Sequence, residues 1–280
     1  YTEFFVTFDK EIISDPLWIK NHLNNGFDIA FQDSDNYLNY LSNKGSLNWK
    51  KRLSGEIVGD IKQVDIYKNG RQQMVFRTEE NLYLLDRNGD EVKQLSFPIN
   101  SSLLNNPISI FDYEKNRNYR FLITEDNLIK MYDSNGKIVS GFRPPLFDSN
   151  IINSPVHIRI DGKDYIVLQL ENGGLKILDR RGRDRVIFDD KILYSDNPIF
   201  SYLENFATID KLGNLVKIDT NGNLIEENLN LSTENLIDIA DNNLVYVDDN
   251  RLTIKGITVD LPYGKFSKPK IFIDSKIMLV

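Results

Sequence analysis

His157 is the residue of this chain best placed for acid–base or anion-binding chemistry. It stands with Arg159 in a short segment where polar and apolar residues alternate, and this pattern predicts a strand with both side chains on one face. An imidazole beside a guanidinium can bind an anion, and a carboxylate such as Asp65 or Asp112 would complete a site. Because first strands line the channel of the fold predicted below, this site would lie at a central channel. The second histidine, His22, lies in a predicted polar loop.

One polar loop places side-chain oxygens at the spacing of a calcium loop. Asp112, Glu114 and Asn116 supply oxygens at the first, third and fifth positions, and such oxygens are the ligands that Ca²⁺ prefers. The residue that follows is Arg117, where a calcium loop has glycine. The other interpretation is a polar hairpin whose Asx side chains bond to their own backbone. We predict no metal site and keep these three residues as the alternative.

Several chemistries are disfavoured by composition. The chain has no cysteine, which removes disulfides, thiolate metal sites and cysteine nucleophiles. A net charge of −7 without a basic stripe argues against nucleic acid as a partner. The basic clusters at 50–52 and 180–185 adjoin predicted turns, and we interpret both as solvated faces. No apolar run is long enough for a transmembrane helix. We predict a chain that is not an enzyme and carries no cofactor.

The elements that would position any site come from an internal repeat. Glycine-containing turns recur at intervals of 40 to 47 residues, each after an apolar residue and a short polar run. Between them lie a second polar turn and a strand start often marked by proline. Each repeat therefore predicts four short strands. The turn glycines are Gly45, Gly89, Gly136, Gly182 and Gly222.

Four strands at this period are the sequence mark of a β-propeller. We predict one all-β domain over residues 1–280, built from four-stranded antiparallel blades. The blades start near residues 16, 61, 107, 155, 198, 236 and 269. The seventh blade would combine the last residues with the N-terminal run 3–8, closing the ring and leaving no open edge. One strand of that blade is then missing, so we expect a longer native chain. Six blades are the alternative.

The repeat resembles the pyrroloquinoline-quinone-like (quinoprotein-type) propeller unit. Gly45 is followed four residues later by Trp49, as in the docking motif of that unit, although later units lack the tryptophan. The enzymes of that group, as the resemblance implies, hold a quinone with tryptophan and often vicinal cysteines. This chain has no cysteine and only Trp18 and Trp49, so that activity is not expected. The chain is also similar to propeller domains of bacterial envelope lipoproteins.

A repeat without a catalytic constellation leads to a prediction of protein–protein interaction. We expect a scaffolding propeller within a larger cell-envelope protein, outside the cytoplasm, with an unidentified protein partner. The expected contacts are the insertion 98–105 and the segment 141–153, with Phe142 and Phe147 as aromatic anchors. The alternative function is a small-ligand-binding or enzymatic propeller that uses His157 and Arg159 at the channel.

Overall fold

The computed structural model describes residues 5–24, 26–99, 106–240, 242–266, 268–269, 271–273 and 277–279. Strands dominate this part of the chain, and its only helical element is the 3-10 turn Lys93–Leu95. The strands fall into two compact units. The first unit comprises residues 1–142 and 146–148, and the second comprises residues 143–145 and 149–280.

The first unit contains three antiparallel sheets in which consecutive strands are neighbours. The first two sheets have four strands and the third has three, extended by an isolated bridge between Tyr132 and Ile138. Their strands are β1 (Leu17–Lys20), β2 (Phe27–Gln32), β3 (Tyr37–Leu41), β4 (Leu47–Arg52), β5 (Val58–Val64), β6 (Gln73–Arg77), β7 (Asn81–Leu85), β8 (Phe97–Pro98), β9 (Ser109–Phe111), β10 (Arg120–Glu125) and β11 (Leu128–Asp133).

The second unit contains three four-stranded sheets of the same topology and a final two-stranded sheet. Its strands are β12 (Val156–Ile160), β13 (Lys163–Gln169), β14 (Leu175–Leu178), β15 (Asp184–Val186), β16 (Phe200–Tyr202), β17 (Asn205–Ile209), β18 (Asn214–Ile218), β19 (Leu224–Asn228), β20 (Leu236–Ala240), β21 (Asn243–Asp248), β22 (Arg251–Ile254), β23 (Ile257–Asp260), β24 (Ile271–Ile273) and β25 (Ile277–Leu279).

Hydrophobic cores lie between successive sheets within each unit. In the first unit one core joins the first and second sheets, and another joins the second and third. In the second unit the cores join the fourth sheet to the fifth and the fifth to the sixth. The middle strands are packed on both faces, which is why β6 and β10 read as nearly continuous apolar runs. Outer strands such as β19 are exposed and polar.

In four of the five recurring turns an aspartate side chain accepts backbone N–H groups of the same turn, and in the first turn Ser42 takes this place. In the turn after β11, Asp133 Oδ1 accepts the N–H groups of Asn135 (2.9 Å) and Lys137 (3.0 Å). The N–H of Gly136 donates to the carbonyl of Asp133 (3.0 Å), and Gly136 has φ +71°. Asn135 has no positive φ. The Asn-Gly pair therefore forms a turn of type I geometry followed by one left-handed glycine, not a turn with two positive-φ residues.

Trp49 fastens the first sheet to the second. Its indole stacks on Tyr40, with ring centroids 4.9 Å apart and an interplanar angle of 8°. Its Nε1–H donates to the carbonyl of Arg87 (2.8 Å) in the turn after β7, and its ring lies against Gly89 of the same turn. Trp49 thus joins the first repeat to the second.

A second contact between successive sheets is made by a buried polar residue at the end of the second strand of a sheet. Its side chain donates a hydrogen bond to a backbone carbonyl in the segment leading into the next sheet. The buried side-chain donor therefore has a hydrogen-bond partner. Three sheets use this contact: Gln32 to Gly55 (2.9 Å), Arg77 to Asn106 (3.2 Å) and Gln169 to Asn197 (3.2 Å).

The observed sheets match the predicted repeat. The first strand of every sheet, including the two-stranded one, begins within three residues of a predicted start. Six sheets of three or four strands are present in the described residues, so six blades, the alternative count, replace the predicted seven. Residues 5–8 form no strand, and residues 3 and 4 of the predicted N-terminal strand lie outside the described residues. The assignment of both units to one domain stays a prediction.

Candidate functional site

The candidate site lies at one end of the fourth sheet. Consecutive strands of this sheet run antiparallel, so the β12–β13 and β14–β15 turns emerge at the same end. Basic residues from both turns and the adjoining strand ends collect there, in a chain whose net charge is −7. We call the following set the basic end: Arg159, Lys163, Arg180, Arg181, Arg183 and Arg185.

Asp164 is the buried support of this end. It pairs in register with Arg159 across β12 and β13, and His157 lies two residues earlier on the same face of β12. Asp164 Oδ1 lies 2.7 Å from His157 Nε2 and 3.4 Å from Arg159 Nη1. Arg180 Nη2 contacts the other carboxylate oxygen. One buried carboxylate therefore contacts three basic side chains, two from β12 and one from the β14–β15 turn.

Asp179 supports the other side of the basic end. Its Oδ1 accepts the backbone N–H groups of Arg181 (2.7 Å) and Arg183 (3.0 Å), as the capping aspartate does in the other turns. Its Oδ2 accepts Nε (2.9 Å) and Nη2 (2.6 Å) of the Arg183 guanidinium. Arg185 lies over the ring of Tyr165 at 5.4 Å from its centroid, a cation–π arrangement.

Between the two turns is an open cavity of about 270 Å³, lined by the ends of β13 and β15 and by residues of the β14–β15 turn. Lys163 and Arg181 line it, and in the described part of the chain neither side chain contacts a carboxylate. Both are exposed. The arrangement therefore presents cationic donors on a rigid base, which suits the binding of an anionic group.

Replacing Asp164 with asparagine should lower the free energy of unfolding by about 2 kcal/mol. The change leaves three basic side chains without their shared counter-charge, and solvent around the half-exposed arginines reduces the cost below that of a fully buried pair. Thermal unfolding followed by circular dichroism measures the loss. Asp161→Asn, in the exposed β12–β13 turn, is the control and should change stability by less than about 0.5 kcal/mol. Equal effects of the two variants would contradict the role of Asp164.

The stability of the fourth sheet should fall in acid through Asp179. Burial would raise the pKa of this carboxyl, but hydrogen bonds from Arg183 and Arg181 outweigh burial and lower the pKa below 3.8. A lowered folded-state pKa contributes stability above the unfolded value, and this contribution is lost as pH falls through the folded value. We expect the loss below about pH 4. Urea unfolding across this range should show a smaller decline for Asp179→Asn, and an unchanged decline would refute the assignment.

His157 has a different carboxylate partner from those the sequence analysis named. That partner is Asp164, whereas Asp65 accepts a hydrogen bond from Arg117 Nη1 (2.6 Å) within the first unit. Asp65 also accepts the N–H groups of Asn69 and Gly70 in its own turn. A role for Asp65 or Asp112 beside His157 stays a prediction, whereas the observed contact with Asp164 follows from the register between β12 and β13.

The alternative metal loop is a capped hairpin. Asp112 accepts the N–H groups of Asn116 (3.0 Å) and Arg117 (2.8 Å), the same pattern that Asp65 makes in the preceding sheet. Both carboxylate oxygens of Asp112 thus bond to backbone. Glu114 also interacts with another group of the chain. Within the described residues, no group of three or more His, Cys, Asp or Glu side chains is arranged to hold a metal ion.

The two predicted aromatic anchors are packing residues in this structure. Phe142 is 7% exposed and Phe147 is 4% exposed, and the backbone N–H of Phe147 donates to the carbonyl of Asn127 (3.0 Å). A partner cannot reach either ring in this conformation. Their role in binding stays a prediction. Of the predicted contact segment 98–105, residues 100–105 lie outside the described residues.

The residues that make the basic end were not predicted as a site from the sequence. The cluster 180–185 was interpreted as a solvated face, and Asp164 was not among the candidate residues. A signal was present, because Asp164 follows the turn residues Asp161 and Gly162 at the position that pairs with Arg159 on the preceding strand. In the described residues, no helix is long and apolar enough to cross a membrane.

No protein-family model matches the chain, and no curated protein sequence matches it. Solved structures are similar in fold. BamB from Moraxella catarrhalis has a TM-score of 0.58 at 15% identity, covering 89% of this chain and 75% of that one. BBS1N, crystallised in complex with ARL6DN, has a TM-score of 0.60 at 10% identity, covering 93% and 89%.

The C-terminal WD40 domain of Sif2 has a TM-score of 0.57 at 12% identity and covers 85% of this chain and 65% of that one. WD40 domains are β-propellers of four-stranded blades. Together with the six antiparallel sheets, these likenesses confirm the predicted β-propeller fold. At such identities they show the fold alone, so the resemblance to the pyrroloquinoline-quinone-like unit stays a prediction.

Proposed function

We propose that this chain is a non-enzymatic propeller that binds a protein partner through the basic end of its fourth sheet. The observation that carries the proposal is the basic end itself. Exposed arginines lie at the strand ends and in the β14–β15 turn, where Asp164 and Asp179 hold two of them, Arg180 and Arg183, through ion pairs. Arginine is among the residues enriched at interface hot spots, and sites on rigid elements lose less entropy on binding.

The shape of the site favours a protein surface over a small substrate. Small-molecule pockets usually exceed about 300 Å³ and are mostly apolar. The cavity at the basic end has about 270 Å³, opens to solvent and is lined mainly by charged side chains. Arg183 is 67% exposed even while paired with Asp179. These features suit contact with a complementary surface.

The comparisons support the same class of function without identifying a partner. BBS1N, which is similar in fold, was crystallised with another protein, ARL6DN. A propeller of this size therefore offers enough surface for a stable complex. We also propose that the chain is part of a larger cell-envelope protein. The sequence resemblance to envelope lipoprotein propellers supports this location. Cell fractionation followed by detection with an antibody to the chain tests it.

A second candidate function is the binding of a small anion. It is favoured by the contact between His157 and Asp164 beside the cavity, which places an imidazole among arginines. In this case Arg159 and the β14–β15 turn would hold the anion. The enzymatic alternative would require a reacting group near His157 in addition to Asp164.

Affinity capture from the source cells tests the proposal with matched variants. The double variant Lys163→Glu/Arg181→Glu reverses two exposed cations of the basic end. Lys44→Glu/Lys137→Glu makes the same change in net charge on exposed lysines of the first unit. We expect a stoichiometric protein partner with the wild type and the control, and its loss with the basic-end variant. A partner retained by the basic-end variant would overturn the assignment of the surface.

The same preparations separate the two candidate functions. Native mass spectrometry of the purified chain would show a bound small anion directly. A monomer that carries such an anion and captures no protein would overturn the interaction proposal in favour of the second candidate. Thermal unfolding of both double variants checks that a lost partner reflects lost charge and not an unfolded fourth sheet.

A further inference from the structure

The charge at the basic end specifies the chemistry of its partner. We infer that the partner contributes an acidic segment, whose Asp or Glu carboxylates bind Lys163 and Arg181. This inference rests on the proposed function, because it names what the bound protein presents. It commits to carboxylates of a polypeptide and not to a free phosphate.

The first step is the balance of charge around the cavity. Six basic residues form the basic end, and four acidic residues belong to the same strand ends and turns: Asp161, Asp164, Asp179 and Asp184. Two of the four carboxylates are already held by guanidiniums, Asp164 by Arg180 and Asp179 by Arg183. The basic end therefore retains a positive excess inside a chain of net charge −7. A positive patch on an acidic protein attracts acidic partners and excludes basic ones.

The second step is the geometry of the donors. Arg183 donates from two guanidinium nitrogens, Nε and Nη2, to one carboxylate oxygen of Asp179, so a carboxylate already binds a guanidinium at this end. Lys163 and Arg181 stand at the same cavity, are exposed and have no carboxylate partner in the described residues. Two carboxylates of a partner would give Lys163 and Arg181 the counter-charges that Asp164 and Asp179 give Arg180 and Arg183.

The third step is the position of the repelling groups. Asp161 and Asp184 are exposed, in the β12–β13 turn and at the start of β15. Their charges disfavour an anion spread over the whole end and direct it towards the cavity between Lys163 and Arg181. A segment with a few spaced carboxylates fits this pattern better than a dense polyanion does.

A titration with short peptides tests the inference on the whole chain. The probe is a labelled peptide of alternating Glu and Ser, and the matched peptide has Gln in place of Glu. Fluorescence anisotropy at low salt should show binding of the Glu peptide only. Lys163→Glu/Arg181→Glu should weaken this binding by at least about tenfold, since two charge-assisted contacts are lost. Lys44→Glu/Lys137→Glu should leave it within about twofold, since these two lysines do not belong to the basic end.

Three outcomes would overturn the inference. Equal weakening by the two double variants would mean that only net charge matters. If inorganic phosphate displaces the labelled peptide at a lower concentration than unlabelled Glu peptide does, the site binds a free anion and not an acidic segment. A protein partner that depends on the basic end in the capture experiment, but is not displaced by the Glu peptide, would leave the proposed function standing and refute the acidic segment. Lys163→Gln/Arg181→Gln, which removes charge without reversing it, should give an intermediate loss.

Discussion

Replacing Gly136 with alanine is expected to lower the free energy of unfolding of the first unit by about 4 kcal/mol. A Cβ at this position would lie 1.6 Å from the backbone oxygen of Gln94, much closer than any two unbonded heavy atoms approach. The clash is with backbone, so a side-chain rotation cannot relieve it. The left-handed φ of +71° adds about 1 kcal/mol for a residue with a Cβ. Together these costs exceed those of an ordinary overpacking mutation.

Gly70→Ala separates the two contributions. Gly70 has φ +81°, in the turn before β6, and a Cβ there would meet nothing within 4 Å. This variant should cost about 1 kcal/mol, the conformational part alone. Both tryptophans, Trp18 and Trp49, belong to the first unit, so urea unfolding followed by tryptophan fluorescence reports on that unit. Similar losses for the two variants would show that the turn after β11 moves away from Gln94 without cost.

The turns were predictable from the sequence because their chemistry is local. An aspartate that caps the next N–H groups and a glycine three residues later need no distant partner, as Asp133 and Gly136 show. Their spacing therefore predicted the sheets. The third sheet departs from the pattern because its fourth strand is reduced to the bridge between Tyr132 and Ile138. The chain beyond it contains Pro144 and Pro145, which cannot donate to a sheet ladder.

The candidate site was less predictable because it depends on register between strands. Whether Arg159 faces solvent or a carboxylate is decided by its pairing with Asp164, and a shift of one residue would turn it to the other face. Burial was equally hidden. Phe142 and Phe147 are aromatic residues in a proline-containing loop, as surface anchors often are, yet both rings are buried. Only the folding of that loop onto the chain distinguishes the two cases.

Arg77 is the strongest case of a residue whose role the sequence does not reveal. It follows four strand residues and precedes a polar turn, as a solvated arginine would, but it is 0% exposed. Its guanidinium donates to three backbone carbonyls, those of Thr78 (3.0 Å), Asn106 (3.2 Å) and Glu79 (3.2 Å). Burial lowers the pKa of Arg77, while Glu125 and Glu79 raise it. The side chain is therefore a buried donor that ties β6 to the segment leading into β9.

Arg77→Ala is expected to lower the free energy of unfolding of the first unit by about 4 kcal/mol. The change removes three hydrogen bonds from a charged donor to backbone carbonyls, and it opens a cavity where the side chain lay. Arg77→Met retains much of the volume and should still lose about 2–3 kcal/mol, because the three hydrogen bonds of the guanidinium are lost. Arg71→Ala, an exposed arginine before the same strand, should cost less than about 0.5 kcal/mol.

The methionine variant decides what Arg77 contributes. Replacing a whole buried polar network with apolar groups can be neutral, but here the acceptors are backbone carbonyls that no substitution removes. Tryptophan fluorescence in urea measures the three variants under the conditions used for Gly136. If Arg77→Met unfolds at the wild-type midpoint while Arg77→Ala does not, the side chain acts by filling space. If both lose stability, its hydrogen bonds hold the second sheet to the third, and the matching contacts of Gln32 and Gln169 become the expected fasteners of their own sheets.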